Sequence, residues 1–359
     1  MIELLPDTPS LSRQLYPFTS VRQCKDLRLG ILTISRKWEL LLEEFLSRQY
    51  SNRKEKEQER ELLRASLLSG LRSIPGNWVP SITILETINA GRVPQPDKVL
   101  LHPWQIFEWN DEMIRMDFRQ ITRGRSSFPI PESVLVDHPS EIFIEEGVRL
   151  SHCTLNASTG PIYISRNCEI MEGARIRGPF FLGEGSVVKM GACIYGATSI
   201  GPSCIIGGEV KNSVLLGFSN KAHEGYLGDS VIGEWCNLGA GTCVSNLRNT
   251  AGTVRVWSSA DEKFQEAGPK CGLLMGDYSR SAILTAFNTG TVVGVCAHVF
   301  GIGLTPKYIR DFSWGSDGIL RYEWDKVMRD INNWKKLKGK QLTEEEIQVL
   351  RPIFDGSTL

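Results

Sequence analysis

The sequence predicts a mainly β fold, a parallel solenoid of short strands with an α/β segment before it and helices after it. Three observations point there. Every sixth residue from Ile164 is aliphatic: Ile164, Ile170, Ile176, Leu182, Val188, Ile194, Ile200 and Ile206. Glycine often follows the aliphatic, as at Gly183, Gly201, Gly207, Gly217, Gly228, Gly233 and Gly239. Four places after the aliphatic the residue is usually small, as at Cys168, Ala174, Ser186, Ala192, Thr198, Cys204, Cys236 and Thr242. A period of six matches neither an amphipathic helix nor a hairpin. It matches stacked coils in which each flat face turns one aliphatic side chain inward.

The series extends both ways. Ile144 and Leu150 precede it, and Leu216 and Ala222 follow. The register then slips at Leu227 and Ile232, resumes at Leu238 and Val244, and continues through Phe287, Val293 and Val299. The glycines are expected at corners that need unusual dihedrals. The small residues should point into a narrow interior, which makes Cys168, Cys204 and Cys236 core fillers. The repeat covers residues 140–303, with an insertion at 251–272 that reads as a loop leaving the coil. This pattern resembles the hexapeptide-repeat family, and the resemblance implies a left-handed parallel β-helix with three faces per coil.

Residues 1–118 differ. "LRLGILTISRKWELLLEEFLSRQY" reads as a short strand and a helix, "NRKEKEQERELLRASLLSGL" as a helix with a solvated face, and "NWVPSITILETINAG" as an extended segment and a helix. The stretch Leu15 to Trp38, "LYPFTSVRQCKDLRLGILTISRKW", resembles the start of a sugar-nucleotidyltransferase-like family that joins a modified α/β nucleotidyltransferase domain to a hexapeptide β-helix. "HPWQIFEWNDEMIRMDF", His102 to Phe118, resembles the connection between those parts. The opening "IELLPDTPSLSRQLYP" lacks the glycine-rich loop whose amides cradle phosphates. The segment therefore reads as truncated or modified, with Thr19, Arg22 and Lys37 as its candidate phosphate contacts. Mg2+ is expected only if this domain is active. Residues 316–359 read as a helical appendage covering the solenoid end, with a Thr cap in "LTEEE" and no evident chemistry.

Composition narrows the function classes. The chain has 359 residues, 41 basic and 41 acidic, for a formal net charge of zero. That balance argues against a nucleic-acid or membrane partner. No apolar run is long enough to span a bilayer, and "MIELLPDTPS" does not read as a signal peptide. Nine cysteines without a C-x-x-C pattern fit a reduced, cytoplasmic protein with no metal site.

The stretch Asn220 to Thr242, "NKAHEGYLGDSVIGEWCNLGAGT", carries the most specific signal. With Lys211 before it and Asn246 after it, it resembles the acetyltransferase half of the bifunctional N-acetylglucosamine-1-phosphate uridyltransferase / glucosamine-1-phosphate acetyltransferase family. That family pattern, HxxYxGDxxIGxxxNxGAGTxxxN, is matched without a gap by His223, Tyr226, Gly228, Asp229, Ile232, Gly233, Asn237, Gly239, Ala240, Gly241, Thr242 and Asn246. Acyl transfer from a thioester to an amine needs a base, and a histidine titrates in the right range. His223, one place past Ala222, should face outward. The resemblance implies His223 as general base, Tyr226 and Asn237 on sugar hydroxyls, Lys211 on phosphate, and Ala240 and Asn246 beside acetyl-CoA or another acyl-CoA. It also implies a homotrimer and an amino-sugar phosphate or nucleotide-sugar acceptor.

Three departures bear on the acceptor. The arginine expected near Ile194 and Tyr195 is missing, Leu247 replaces an aromatic, and Arg255 stands in for a lysine. His102, His138, His152 and His298 read as ordinary structural residues. Two other functions stay open: a sugar-1-phosphate nucleotidyltransferase with the β-helix as a trimerising module, and a non-catalytic nucleotide-sugar-binding protein.

Overall fold

The computed structural model describes residues 2–50, 57–317 and 319–356. Among them, a parallel β-solenoid runs from Leu135 to Trp314, with ladders of nine, ten and six strands forming faces A, B and C. Face A runs from Ile142–Ile144 to Tyr308–Ile309, face B from Arg149–Leu150 to Ser313–Trp314 with Leu320–Arg321 added antiparallel as its tenth strand, and face C from Leu135–Asp137 to Tyr226–Gly228. The pair Cys243–Val244 and Ala286–Phe287 comes after the last strand of face C in the chain.

The six-residue series is the solenoid's interior. On face A, Ile144, Ile164, Leu182, Ile200, Leu215, Ile232, Met275, Val293 and Ile309 stack in register and are buried. Ile176 and Ile194 stack on face C, and Ile170, Val188 and Ile206 on face B. The predicted fillers Cys168, Ala174, Ser186, Ala192, Thr198, Cys204, Cys236 and Thr242 are all buried.

Two details depart from expectation. After Ile206 the inward residues are Leu215 and Lys221 rather than Leu216 and Ala222, because Ile200 pairs with Leu215 and Ile206 with Lys221. Gly207 and Gly208 turn this corner in fewer residues, with Gly208 in a left-handed conformation at φ +68°. Leu216 instead faces outward into a second core. None of the glycines that follow the aliphatics is left-handed, and all but Gly217 are needed for close approach. A Cβ on Gly201 would lie 1.9 Å from the Leu216 carbonyl oxygen of the next coil.

Helices α1 (Pro9–Gln14), α2 (Ile34–Gln49), α3 (Glu57–Leu71), α4 (Ile82–Asn89), α5 (Gln105–Glu108) and α6 (Asn110–Thr122) build the N-terminal part, with a small ribbon of Arg28–Leu29 and Leu32–Thr33. Part of the predicted charged helix, residues 52–56, lies outside the described residues. Trp38, Phe45, Leu67 and Leu85 share one core with Val214, Leu216, Val231, Leu274 and Val292 of face A. The insertion does not leave the coil as a free loop. Arg255–Ser258 and Lys263–Glu266 form an antiparallel ribbon whose Val254 and Val256 enter that same core, and Trp257 stacks on Tyr308. Alternating apolar residues in "TVRVW" give this segment one buried face.

Helices α7 (Trp324–Lys336) and α8 (Glu344–Asp355) follow the solenoid. They pack along its side on Trp235, Tyr278, Val295, Cys296 and Phe312, covering the corner between faces A and B as well as its last coils. Thr343 and Glu346 form the capping box that opens α8. Among the described residues no helix is long and apolar enough to cross a membrane.

Val188 is fully buried in the inward stack, so a carboxylate there would be unpaired in a dry core. Val188→Asp is expected to lower unfolding free energy by more than about 3 kcal/mol. Urea denaturation checks this, and a Val188→Asp protein with wild-type stability would contradict the register.

Candidate functional site

The N-terminal segment covers face A and the C-terminal helices lie along the corner between faces A and B. Face C, together with the corner that joins faces B and C, carries His223, Tyr226 and Ala240 of the matched motif. Tyr226 opens the last strand of face C, with its backbone next to Glu209. Its ring folds back over Gly228, where an added Cβ would meet the Tyr226 hydroxyl at 2.2 Å. That fold-back explains the glycine at this position. The hydroxyl accepts a hydrogen bond from Asn246 Nδ2 at 3.1 Å.

The same amide donates to Asp229 Oδ2, and Asn212 Nδ2 donates to Asp229 Oδ1 at 2.7 Å. Asn212 and Asp229 turn successive coils in left-handed conformations, at φ +45° and +46°, which short polar side chains tolerate. Burial and the neighbouring Asp229 charge push the Tyr226 phenol up to about 12. Lys211 stands beside Gly228 and Tyr195 in the ladder, with its ammonium 6.0 Å from the centre of the Tyr195 ring.

His223 is exposed at the corner between faces B and C. Its outward aim survives the register correction, since it now lies two places past the inward Lys221. The Lys221 ammonium donates to the His223 carbonyl oxygen at 2.6 Å, so a core residue anchors the bend that carries the imidazole. Burial pulls the Lys221 ammonium down to about 8. Ala240 is half-buried at the same corner, and its carbonyl accepts from the Leu284 amide at 2.7 Å.

Asn237 sits apart from the Tyr226 cluster, on face B. Asn220 Nδ2 lies 3.4 Å from Asn237 Oδ1, and Lys338 Nζ donates to Asn220 Oδ1 at 3.1 Å. One chain thus joins Tyr226 to Asn246 directly and leaves Asn237 on another face.

Beside Asn246, a cavity of about 540 Å3 is lined by Ser245, Leu247, Arg248, Asn288, Thr289, Leu304, Lys307 and Arg255. Its lining includes three cations and no carboxylate. Burial lowers the Lys307 ammonium, and the Arg248 and Arg255 charges lower it further. Arg255, read from the sequence as a stand-in cation, therefore meets two partners the sequence did not point to. Only their convergence in three dimensions brings Arg248 and Lys307 together with it. Lys221 was detectable as a lysine near an inward slot.

The N-terminal phosphate candidates are engaged elsewhere. The Thr19 hydroxyl donates to the Ser12 carbonyl at 2.6 Å. Arg22 grips Asp277 with both Nη atoms and lies 3.4 Å from Glu234, tying the segment to the solenoid. Lys37 pairs with buried Asp117, which also accepts from the Ile31 amide at 2.8 Å. Among the described residues no three His, Cys, Asp or Glu side chains converge as a metal site. Thr19, Arg22 and Lys37 are thus each engaged within the protein itself.

Residues 4–96 match the family model described as sugar nucleotidyl transferase. The bifunctional protein GlmU of Synechococcus elongatus is 29% identical over 189 residues, which are 46% of this chain and 40% of that protein. The bifunctional sugar-1-phosphate nucleotidylyltransferase/acetyltransferase of Sulfurisphaera tokodaii is 32% identical over 147 residues, 39% of this chain and 35% of that protein. The bifunctional protein GlmU of Methanocaldococcus jannaschii is 38% identical over 86 residues, 24% of this chain and 21% of that protein. The chain thus spans less than half the length of these relatives.

Removing the Asp229 carboxylate takes away a charge that raises the Tyr226 phenol. In Asp229→Ala the Tyr226 pKa is expected to fall from about 12 toward an ordinary phenol, read by ultraviolet titration against Tyr226→Phe. An unchanged titration would contradict this network. A match to the sugar nucleotidyl transferase model at the N-terminus and partial similarity to bifunctional GlmU proteins, beside a parallel β-solenoid, are the features by which this chain is similar to those proteins.

Proposed function

We propose that the solenoid is an acyl-CoA-dependent acyltransferase acting on an amino-sugar phosphate or a nucleotide sugar. The observation that carries this reading is the exposed His223, anchored by Lys221, at a corner next to the Tyr226–Asn246–Asp229 network. The acceptor amine attacks the thioester carbonyl carbon as His223 takes the ammonium proton. Backbone amides near Ala240 stabilise the tetrahedral oxyanion. The intermediate collapses to the amide, and the C–S bond breaks as the leaving thiolate takes the proton held by His223 and departs as the CoA thiol. Tyr226 and Asn237 hold sugar hydroxyls, Lys211 the acceptor phosphate, and Asn246 the acyl-CoA side. The cavity lined by Arg248, Arg255 and Lys307 offers positive charge in place of the missing arginine and lysine.

The same reading has a degenerate N-terminal nucleotidyltransferase-like part over 1–118, an acyltransferase-like solenoid over 140–303, a helical appendage over 316–359, and a cytoplasmic location. The engagement of Arg22 and Lys37 in ion pairs supports the degenerate N-terminal part. The match over residues 4–96 favours the second reading, a sugar-1-phosphate nucleotidyltransferase, which pyrophosphate exchange with sugar-1-phosphates tests. The missing arginine favours the third, a nucleotide-sugar-binding protein without catalysis.

A homotrimer completes the site in this reading. Met190, Ile283, Leu284 and Ile302 are exposed apolar side chains on turns that follow face B strands, as His223 is, and a second copy would cover them. Light scattering at micromolar concentration should return three times the 40.2 kDa chain mass, and a monomer would remove the shared-site model. His223→Ala should keep folding and ligand affinity and lower acyl transfer by roughly 10²–10⁴-fold. The wild-type rate should fall at low pH, as general-base catalysis requires. Asn237→Ala should mainly raise KM for the acceptor. CoA-thiol release with an identified acceptor measures all three, and wild-type turnover by His223→Ala would leave the binding-protein reading first.

A further inference from the structure

Under α7, face B carries a row of outward polar residues on successive coils: Asn220, Asn237, Arg280 and His298. Strands stack about 4.8 Å apart, so the row is roughly 14 Å long. Arg280 is 6% exposed, and its Nε and Nη2 atoms have no hydrogen-bond partner. These two adjacent donors form the fork with which arginine grips one phosphate or carboxylate. His298 Nδ1, on the next strand, is also buried without a partner.

The surroundings do not neutralise the row. Trp334 of α7 lies over the Arg280 guanidinium at 5.1 Å. Trp314, Phe300 and Tyr322 surround the His298 ring at 4.9–6.0 Å. The nearby Asp330 carboxylate is taken by the Tyr322 hydroxyl and by Arg329. At the other end, Lys338 Nζ donates only to neutral oxygens, the Ser203 carbonyl at 2.5 Å and Asn220 Oδ1. Two cations thus flank two amides, and none of the row's own residues carries a negative charge.

We propose that this row is an oxyanion site for a phosphate group, gripped by the Nε–Nη2 edge of Arg280 with Asn237 and Lys338 beside it and closed over by α7. The proposal needs no acyl transfer and shares only Asn237 with the reading above. An unpaired buried guanidinium destabilises a fold, and an aliphatic replacement usually relieves that strain. A bound phosphate would supply the partner that the Arg280 Nε and Nη2 donors lack.

The test titrates inorganic phosphate, without any acyl donor, into protein carrying Arg248→Ala and Arg255→Ala, which silence the other basic cavity. Binding is followed by the fluorescence of Trp334 against Trp334→Phe. Adding Arg280→Met should weaken phosphate binding by roughly tenfold or more and raise Tm in phosphate-free buffer. Lys338→Met, at the half-buried end, should weaken it less and serves if Arg280→Met does not fold. A crystal soaked in selenate should show an anomalous peak at the Arg280 guanidinium. Absence of phosphate binding in the starting protein, unchanged affinity in both substituted proteins, or a selenate peak only elsewhere would overturn the site.

Discussion

The narrowness of the solenoid interior decides where every other side chain goes. Each coil has room for one inward side chain per face and one small filler per corner. Once Ile164, Ile170 and Ile176 take the inward slots, the neighbours on either side must point out. The next coil then repeats the choice in register. Glycine is required wherever the next coil's carbonyl occupies the space of a Cβ, as at Gly201. Tyr226, Lys211, Asn237 and His223 are therefore held by a core they do not belong to.

Two parts of the chain use the outside of that core differently. The N-terminal helices bury Leu216, Val231 and Leu274 of face A and add two buried ion pairs, Arg22–Asp277 to the solenoid and Lys37–Asp117 within themselves. Burial pushes the Asp277 carboxyl up to about 6, and the facing Arg22 opposes that rise. Breaking such a pair by removing one partner typically costs about 3–5 kcal/mol, so these residues act as clamps. The C-terminal helices instead lie over a polar row and leave Arg280 without a carboxylate partner. One segment closes its face with paired charges, and the other covers a face whose charges are unpaired.

Much of the solenoid was legible because its physics is local and repetitive. A six-residue aliphatic series and its small fillers need no knowledge of distant contacts. The slip after Ile206 was misread because Leu216 is as apolar as Leu215, and only the N-terminal core outside face A explains why it turns outward. Lys221 in an inward slot contradicts the apolar rule, and the carbonyl of His223 that takes its ammonium lies in the following bend. The site was partly legible. Its motif gave His223, Tyr226 and Asn246, whereas Arg248 with Lys307, and Asn220 with Lys338, meet only through contacts distant in sequence. The insertion's alternation was readable in "TVRVW", but its docking surface was not.

The central claim is that acyl donor and amine acceptor meet at the corner between faces B and C. A crystal structure with a CoA thioester analogue and a nucleotide sugar tests it most directly. The account predicts the thioester carbon within reach of the His223 imidazole and the Ala240 backbone, with the sugar against Tyr226. A CoA analogue bound away from that corner, or a nucleotide held by the N-terminal segment with the corner empty, would contradict it.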